Sequence, residues 1–276
     1  MDFLSIGHVC HDTAPSGFIP GGAVTYSGIF ARQLGLDTGI LTSVGDNYLF
    51  RDLFKNIQFE SFPSKQTTIF QNQYFEGHRK QYLLARADDI KVSHLPEHWK
   101  KSSMVFIGPI ANEVDFGFLD IFENALVCIN PQGWMRRWDQ SGKVYSKPFQ
   151  YYDVLAKADL TIISEEDVGM DYGIINEMTQ VLDVLVVTKG EDGCDVYFKK
   201  EKSSFPAFKT QAIDRTGAGD SFSTAFLVYY YETGDLFKAA RYANVVASFC
   251  IEAEGISSLP SRKQIETRFE EYVKLL

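Results

Sequence analysis

The run Asp214-Arg215-Thr216-Gly217-Ala218-Gly219-Asp220-Ser221-Phe222 sets two glycines around one alanine and follows them at once with an aspartate. An apolar pattern at helical spacing then begins, with Ala225, Phe226, Tyr229 and Tyr230 on one face. A glycine-rich turn that opens a helix aims several backbone N–H groups at one spot, where the helix dipole also favours negative charge. Such a turn is an anion cradle, and the carboxylate of Asp220 at its lip needs a reason. One reason is chemical: the amides hold a phosphoryl group while Asp220 takes the proton of an attacking hydroxyl. The plainer alternative makes Asp220 a helix N-cap and the glycines the means of a tight turn.

Upstream of that turn, short apolar runs ending in small or polar residues recur. They are Phe3-Leu4-Ser5-Ile6-Gly7, residues 38–45, Met104-Val105-Phe106-Ile107-Gly108, residues 125–130, Leu160-Thr161-Ile162-Ile163-Ser164 and Val184-Leu185-Val186-Val187-Thr188. Each has the length of a strand, and such continuous apolarity suits strands covered on both faces. Helical candidates lie between them, at 25–34, 116–124 and 173–181. Strands alternating with helices predict a three-layer α/β/α core around a mostly parallel sheet. Ligands bind beyond the carboxyl ends of such strands, where Gly7, Gly45, Gly108, Asn130, Ser164 and Thr188 fall.

Residues 66–91 break this rhythm. Two β-prone segments, 67–75 and 79–84, are joined by Glu76-Gly77-His78 and read as an antiparallel hairpin. The expectation is a single domain over 1–276, with a small β lid inserted at about 11–22 and 64–91. Decoration of the sheet edge is the alternative for these segments.

Composition narrows the function. With 276 residues and 45% hydrophobic content, the chain can bury a core without a disulfide or metal staple. A net charge of −9 argues against a nucleic-acid partner. Cys10, Cys128, Cys194 and Cys250 form no C-x-x-C pair, and His8 and His11 stand without a second cluster to complete a metal site. The N-terminus lacks the pattern of a signal peptide, and no apolar run nears the roughly 20 residues of a membrane span. The expectation is a cytoplasmic protein without a membrane partner.

Taken together, these features resemble the ribokinase-like (PfkB) carbohydrate kinase family over nearly the whole chain. Thr216-Gly217-Ala218-Gly219-Asp220 is the most specific element, and the Gly21-Gly22-Ala23 pair before a helix is the second. The resemblance implies transfer of the ATP γ-phosphoryl group to an alcohol, with Asp220 as base and the amides of Gly217, Ala218 and Gly219 as anion hole. It implies that Asp12, Gly21 and Gly22 bind the acceptor. It also assigns Thr188, Gly190 and Gly193 of the T-x-G segment, and Asn244 on a later helix, to the nucleotide. Asp214, with the Gly255-Ile256-Ser257-Ser258 loop, resembles the monovalent-cation (K⁺) site of some members. Members often dimerise through their lids, and a short lid could equally leave this protein monomeric, so homodimer and monomer both stay open.

One segment departs from the family pattern. Where many members carry N-x-x-E to organise Mg²⁺ through water, this chain has Ser164-Glu165-Glu166-Asp167. Asp167, with Glu166 beside it, keeps a hard oxygen ligand for Mg²⁺ with a reach shorter by one methylene. Altered metal affinity rather than lost activity is expected. The same trio could instead simply start a helix, which the dipole would favour.

Asn130-Pro131-Gln132-Gly133-Trp134-Met135-Arg136 follows a strand, and its Gln-Gly-x-x-Arg part is similar to the inositol-kinase branch. Asn130 and Arg136 are therefore candidate substrate residues, with Gln73 from the lid. A small neutral polyol is the leading acceptor. A nucleoside stacked on Phe70 or Tyr74 stays open, as does a nucleotide-binding regulatory protein without catalysis. No G-x-G-x-x-G follows the first strand and no Walker motif occurs, which argues against a dinucleotide oxidoreductase.

Overall fold

The computed structural model describes residues 1–75, 78–147 and 149–275. The first third of the chain holds β1 (Phe3–Ile6), β2 (Cys10–Ala14), β3 (Gly17–Gly21), α1 (Ala23–Gln33), β4 (Thr38–Val44), β5 (Gln58–Pro63), β6 (Thr68–Phe75) and β7 (His78–Ala85). The middle holds β8 (Met104–Ile107), β9 (Leu126–Ile129), β10 (Arg136–Trp138), β11 (Val144–Ser146), α2 (Tyr152–Leu155), β12 (Leu160–Ser164), α3 (Tyr172–Val181) and β13 (Val184–Thr188). The chain continues with β14 (Cys194–Phe198), β15 (Glu201–Phe205), α4 (Ala218–Thr233), α5 (Leu236–Cys250) and α6 (Arg262–Leu275).

Nine strands form the main sheet in the order β15-β14-β13-β12-β9-β8-β1-β4-β5. All neighbours from β13 to β5 run parallel, and the β14–β15 hairpin adds an antiparallel edge. Alternation along the strands feeds a core on each face of the sheet, and Ile40 and Val44 of β4 join a third, smaller cluster. Phe3, Met104 and Phe106 face α1, α4, α5 and α6, where Phe30, Phe226 and Tyr242 pack. Leu4, Ile6, Val105 and Ile107 face the opposite layer, with Trp99, Phe118, Trp134 and Ile175. This is the expected α/β/α sandwich.

Residues 116–124 differ from expectation. They form only a 3₁₀ turn, Phe116–Asp120, whose first N–H groups are capped by Asp115 through Gly117 N at 2.9 Å. Phe118, Leu119 and Phe122 are buried there, so docking of bulky apolar groups, rather than helical propensity, sets the local path.

The 67–84 hairpin is present and is part of a four-stranded second sheet, β3-β2-β6-β7. Its segments, 10–21 and 68–85, overlap the stretches 11–22 and 64–91 singled out in the sequence, and β2 pairs β6 in parallel. Glu76, Gly77 and the side chain of Tyr74 lie outside the described residues. The β10–β11 ribbon reaches back to β7: Leu83 N donates to Gly142 O at 2.8 Å, and a Cβ at Gly142 (φ +81°) would lie 2.4 Å from Leu83 O. No helix among the described residues is long and apolar enough to cross a membrane.

Candidate active site

The order of the main sheet reverses direction at β1, which lies between β8 and β4. A crevice beyond the carboxyl ends is expected at that point, and one cavity occupies it. The second sheet walls it on one side through Cys10, Asp12, Phe70, Asn72 and Gln81. The main sheet contributes Ile110, Asn130, Ser164 and Thr188 from beyond its strand ends, and the glycine turn closes the third side with Gly217, Gly219 and Asp220.

At the second-sheet end, a buried polar chain joins the two sheets. Asp88 O can only accept, so His8 Nε2 carries the proton at 2.9 Å, and Nδ1 accepts from Thr68 Oγ1 at 2.8 Å. Thr68 Oγ1 accepts in turn from Ala87 N at 2.9 Å. Burial lowers the pKa of His8 and keeps it neutral, as this chain of bonds requires. Glu113 accepts from His8 N and Ile110 N at 3.0 Å and from Ala111 N at 2.6 Å, which fixes the loop after β8. Arg136 Nη1 donates to Ile110 O at 3.2 Å, so its guanidinium also belongs to the cavity wall.

Asp12 lies within this wall at 9% exposure. Gly21 makes that placement possible, since a Cβ there would lie 2.2 Å from Asp12 Oδ2. Gly22 takes φ +98° at the start of α1, and a Cβ there would lie 2.4 Å from His8 O. The glycine pair is therefore required by the protein's own packing, whatever ligand approaches. Burial, then the carboxylates of Asp12, Glu113 and Asp220, push the Cys10 thiol well up, so it stays protonated and inert.

At the other end, Gly217 is the N-cap of α4 in the left-handed region, φ +77°. Asp220 stands in the first helical turn, three residues past that cap, so the N-cap reading of Asp220 does not hold. Among the described residues, the N–H groups of Gly217 and Gly219 take no backbone acceptor, and Ala218 N makes only a 3.4 Å turn contact with Arg215 O. A Cβ at Gly217 would strike the Tyr26 ring at 2.2 Å, whereas one at Gly219 meets nothing within 4 Å. Packing thus explains the first glycine, whereas no contact of the protein itself requires the second.

Asp167 lines the cavity between the two ends. Its Oδ1 accepts from Gln132 Nε2 at 2.8 Å and its Oδ2 from Ser164 N at 2.9 Å. Two of roughly four lone-pair directions remain, which fits a water-mediated Mg²⁺ with most of its ligands from waters and phosphates. Among the described residues no three His, Cys, Asp or Glu side chains converge on one point. Glu166 lines a smaller adjoining cleft with Tyr145 and Ser146 rather than the main cavity. Asp214 accepts from Thr216 N at 2.9 Å and from Gly255 N at 3.3 Å, and so clamps the glycine turn to the 255–258 loop.

Not every residue read from the sequence reaches the cavity. Gln73 is exposed on the other face of β6, where its Nε2 donates to Gln71 Oε1 at 3.1 Å. The facing pair is Asn72 and Gln81, joined at 2.9 Å. Gly190 and Gly193 belong to the turn between β13 and β14, with Lys189 N donating to Gly193 O at 2.7 Å, and neither lines the cavity. Asn244 is buried, and its Nδ2 donates to Phe205 O and Pro206 O, both at 3.1 Å. Tyr26, Asn72, Gln81, Gln132 and Arg215 line the cavity without having been singled out. Period two along β6, counted from buried Phe70, would have selected Asn72 over Gln73.

Comparisons with known proteins agree with this architecture. Residues 151–263 match the model of the pfkB family carbohydrate kinases. The chain is 27% identical over 272 residues to inositol 3-kinase of Arabidopsis thaliana, covering 91% of this chain and 74% of that one. It is 24% identical over 273 residues to a nucleoside kinase of Methanocaldococcus jannaschii, covering 91% and 86%. A pyrophosphate-dependent kinase of the ribokinase family, solved with a pyrophosphate analog and myo-inositol, superposes with a TM-score of 0.80 at 21% identity over 96% of this chain and 99% of that one. The match over residues 151–263, the α/β/α sandwich and the glycine turn at the head of α4 make the chain similar to the pfkB carbohydrate kinases and give it the fold of the ribokinase-family structures.

Proposed function

We propose that this protein transfers the terminal phosphoryl group of ATP to a hydroxyl of a small polyol such as a sugar or cyclitol. One observation carries the reading: Asp12, Asp220 and the N–H cradle of Gly217 and Gly219 line the same cavity. The cradle amides and Arg215 hold the phosphoryl oxygens, and the helix dipole behind them favours the charge. Asp12 and Asn130 orient the acceptor, and Asp220 takes the proton of its attacking hydroxyl. Asp167 would hold a Mg²⁺ through water, and such an ion would supply positive charge to neutralise the phosphoryl oxygens. Thr188, which also lines the cavity, contacts the donor in this reading. Phe70 lies beneath the Arg136 guanidinium, 5.9 Å from the ring centroid, which leaves it less free to stack on a nucleobase and favours a polyol over a nucleoside.

A second donor is favoured by one placement. Asn244, Gly190 and Gly193 are absent from the cavity wall, and the Asn244 amide is spent on two carbonyls. A donor without a base, such as pyrophosphate, would not need them. The test is ³¹P NMR with ATP or pyrophosphate, each paired with myo-inositol, ribose or adenosine. A new phosphomonoester signal is expected with a polyol. Its absence with both donors and every acceptor would sink the kinase reading.

A further inference from the structure

Tyr26 belongs to the cavity wall, yet neither the strand ends nor the glycine motifs account for it. It lies on α1 four residues after Gly22 and is 2% exposed. Its ring is pressed against Gly217, as the 2.2 Å approach of a Cβ built there shows. Its phenol oxygen is buried and has no hydrogen-bond partner among the described residues, although the residue lines the cavity. Asn130 Oδ1, in the same cavity wall, is likewise buried and unpartnered. Protein interiors rarely leave such groups unsatisfied, because a buried polar atom without a partner is destabilising. Two in one cavity point to a ligand that supplies the partners.

The electrostatics say which part of a ligand meets Tyr26. Burial and then Asp12, Asp220 and Asp214, in that order, raise its pKa, so the phenol stays protonated and able to donate. Tyr26 stands one helical turn beyond Gly22, which lines the cavity together with Asp12 and Asn130, so its hydroxyl is assigned to the acceptor end. An anionic acceptor group would face the same carboxylates, whereas an uncharged hydroxyl can both accept from a phenol and donate to an amide oxygen.

We propose that Tyr26 Oη donates a hydrogen bond to a hydroxyl of the acceptor while Asn130 Oδ1 accepts from another, so that the site selects an uncharged polyhydroxylated ring. This rests on the kinase reading above and makes Tyr26 a specificity-determining residue. Tyr26→Phe removes one oxygen and no protein hydrogen bond. The thermal midpoint of the ligand-free variant is therefore expected to match or exceed that of the wild type. The KM for myo-inositol, or for ribose if that is the polyol turned over, should rise about ten-fold, with the donor KM nearly constant.

A lowered midpoint would show that the hydroxyl serves the fold and would overturn the assignment. So would an unchanged acceptor KM in a variant that still turns over. Wild-type turnover of adenosine alone would overturn the substrate class. A wild type that forms no phosphomonoester at all fails the kinase reading itself, and this inference falls with it.

Discussion

Around Asp12 the cavity is made of buried side chains whose positions the rest of the protein dictates, whereas around Gly219 it is made of backbone N–H groups facing open space. Gly21 leaves room for Asp12, Gly22 clears His8 O, and Tyr26 is wedged against Gly217. At the other end, a Cβ on Gly219 would touch nothing and Arg215 is exposed. The first arrangement discriminates, since shape and buried polar atoms are fixed before a ligand arrives. In the proposed reaction the second meets phosphate, a group common to many donors, and needs little beyond N–H direction and positive potential. In this account selectivity resides in the acceptor end, and the donor end is more permissive.

Substitution of the two glycines should separate these roles. Gly219→Ala places a methyl in the open space that the proposed reaction gives to the phosphoryl group, in a helical position where alanine is favoured by about 0.5–1 kcal/mol. Turnover should fall about 10²-fold or more while the thermal midpoint holds or rises; parallel kinetics and thermal unfolding check this. A variant with normal turnover would remove the ligand-space explanation of Gly219. Gly21→Ala should act in the opposite sense. Its Cβ must displace Asp12, so stability should drop by about 1–3 kcal/mol, and the acceptor KM should rise by about ten-fold with the donor KM unchanged. Equal losses on donor and acceptor would blur the comparison between the two ends.

The same contrast explains what the sequence could and could not disclose. Strand ends and glycine motifs are local signals, so Gly108, Asn130, Ser164, Thr188 and the 214–220 turn were legible, and all stand at the crevice or beside it. Gln73 and Asn72 are neighbours with similar chemistry, and only strand register decides which one faces inward. Tyr26 carries no motif, because its role depends on the contact with Gly217, nearly two hundred residues away in the chain. Asn244 sits at the right place in the order of motifs, but the nearby carbonyls of Phe205 and Pro206 claim its amide. The β14–β15 hairpin was missed for a simpler reason. Its turn is Lys199-Lys200, both at positive φ, where Asn-Gly or Asp-Gly is the usual sign.

The most direct test compares Asp220→Asn with the wild type in donor binding and in formation of the phosphorylated polyol. Asp220 is placed as the proton acceptor in a cradle whose N–H groups are backbone, so the variant should bind ATP or pyrophosphate with little change. Turnover should fall by about 10²–10⁴-fold. Near-normal turnover with intact donor binding would contradict the central claim that the carboxylate at the glycine turn carries the chemistry.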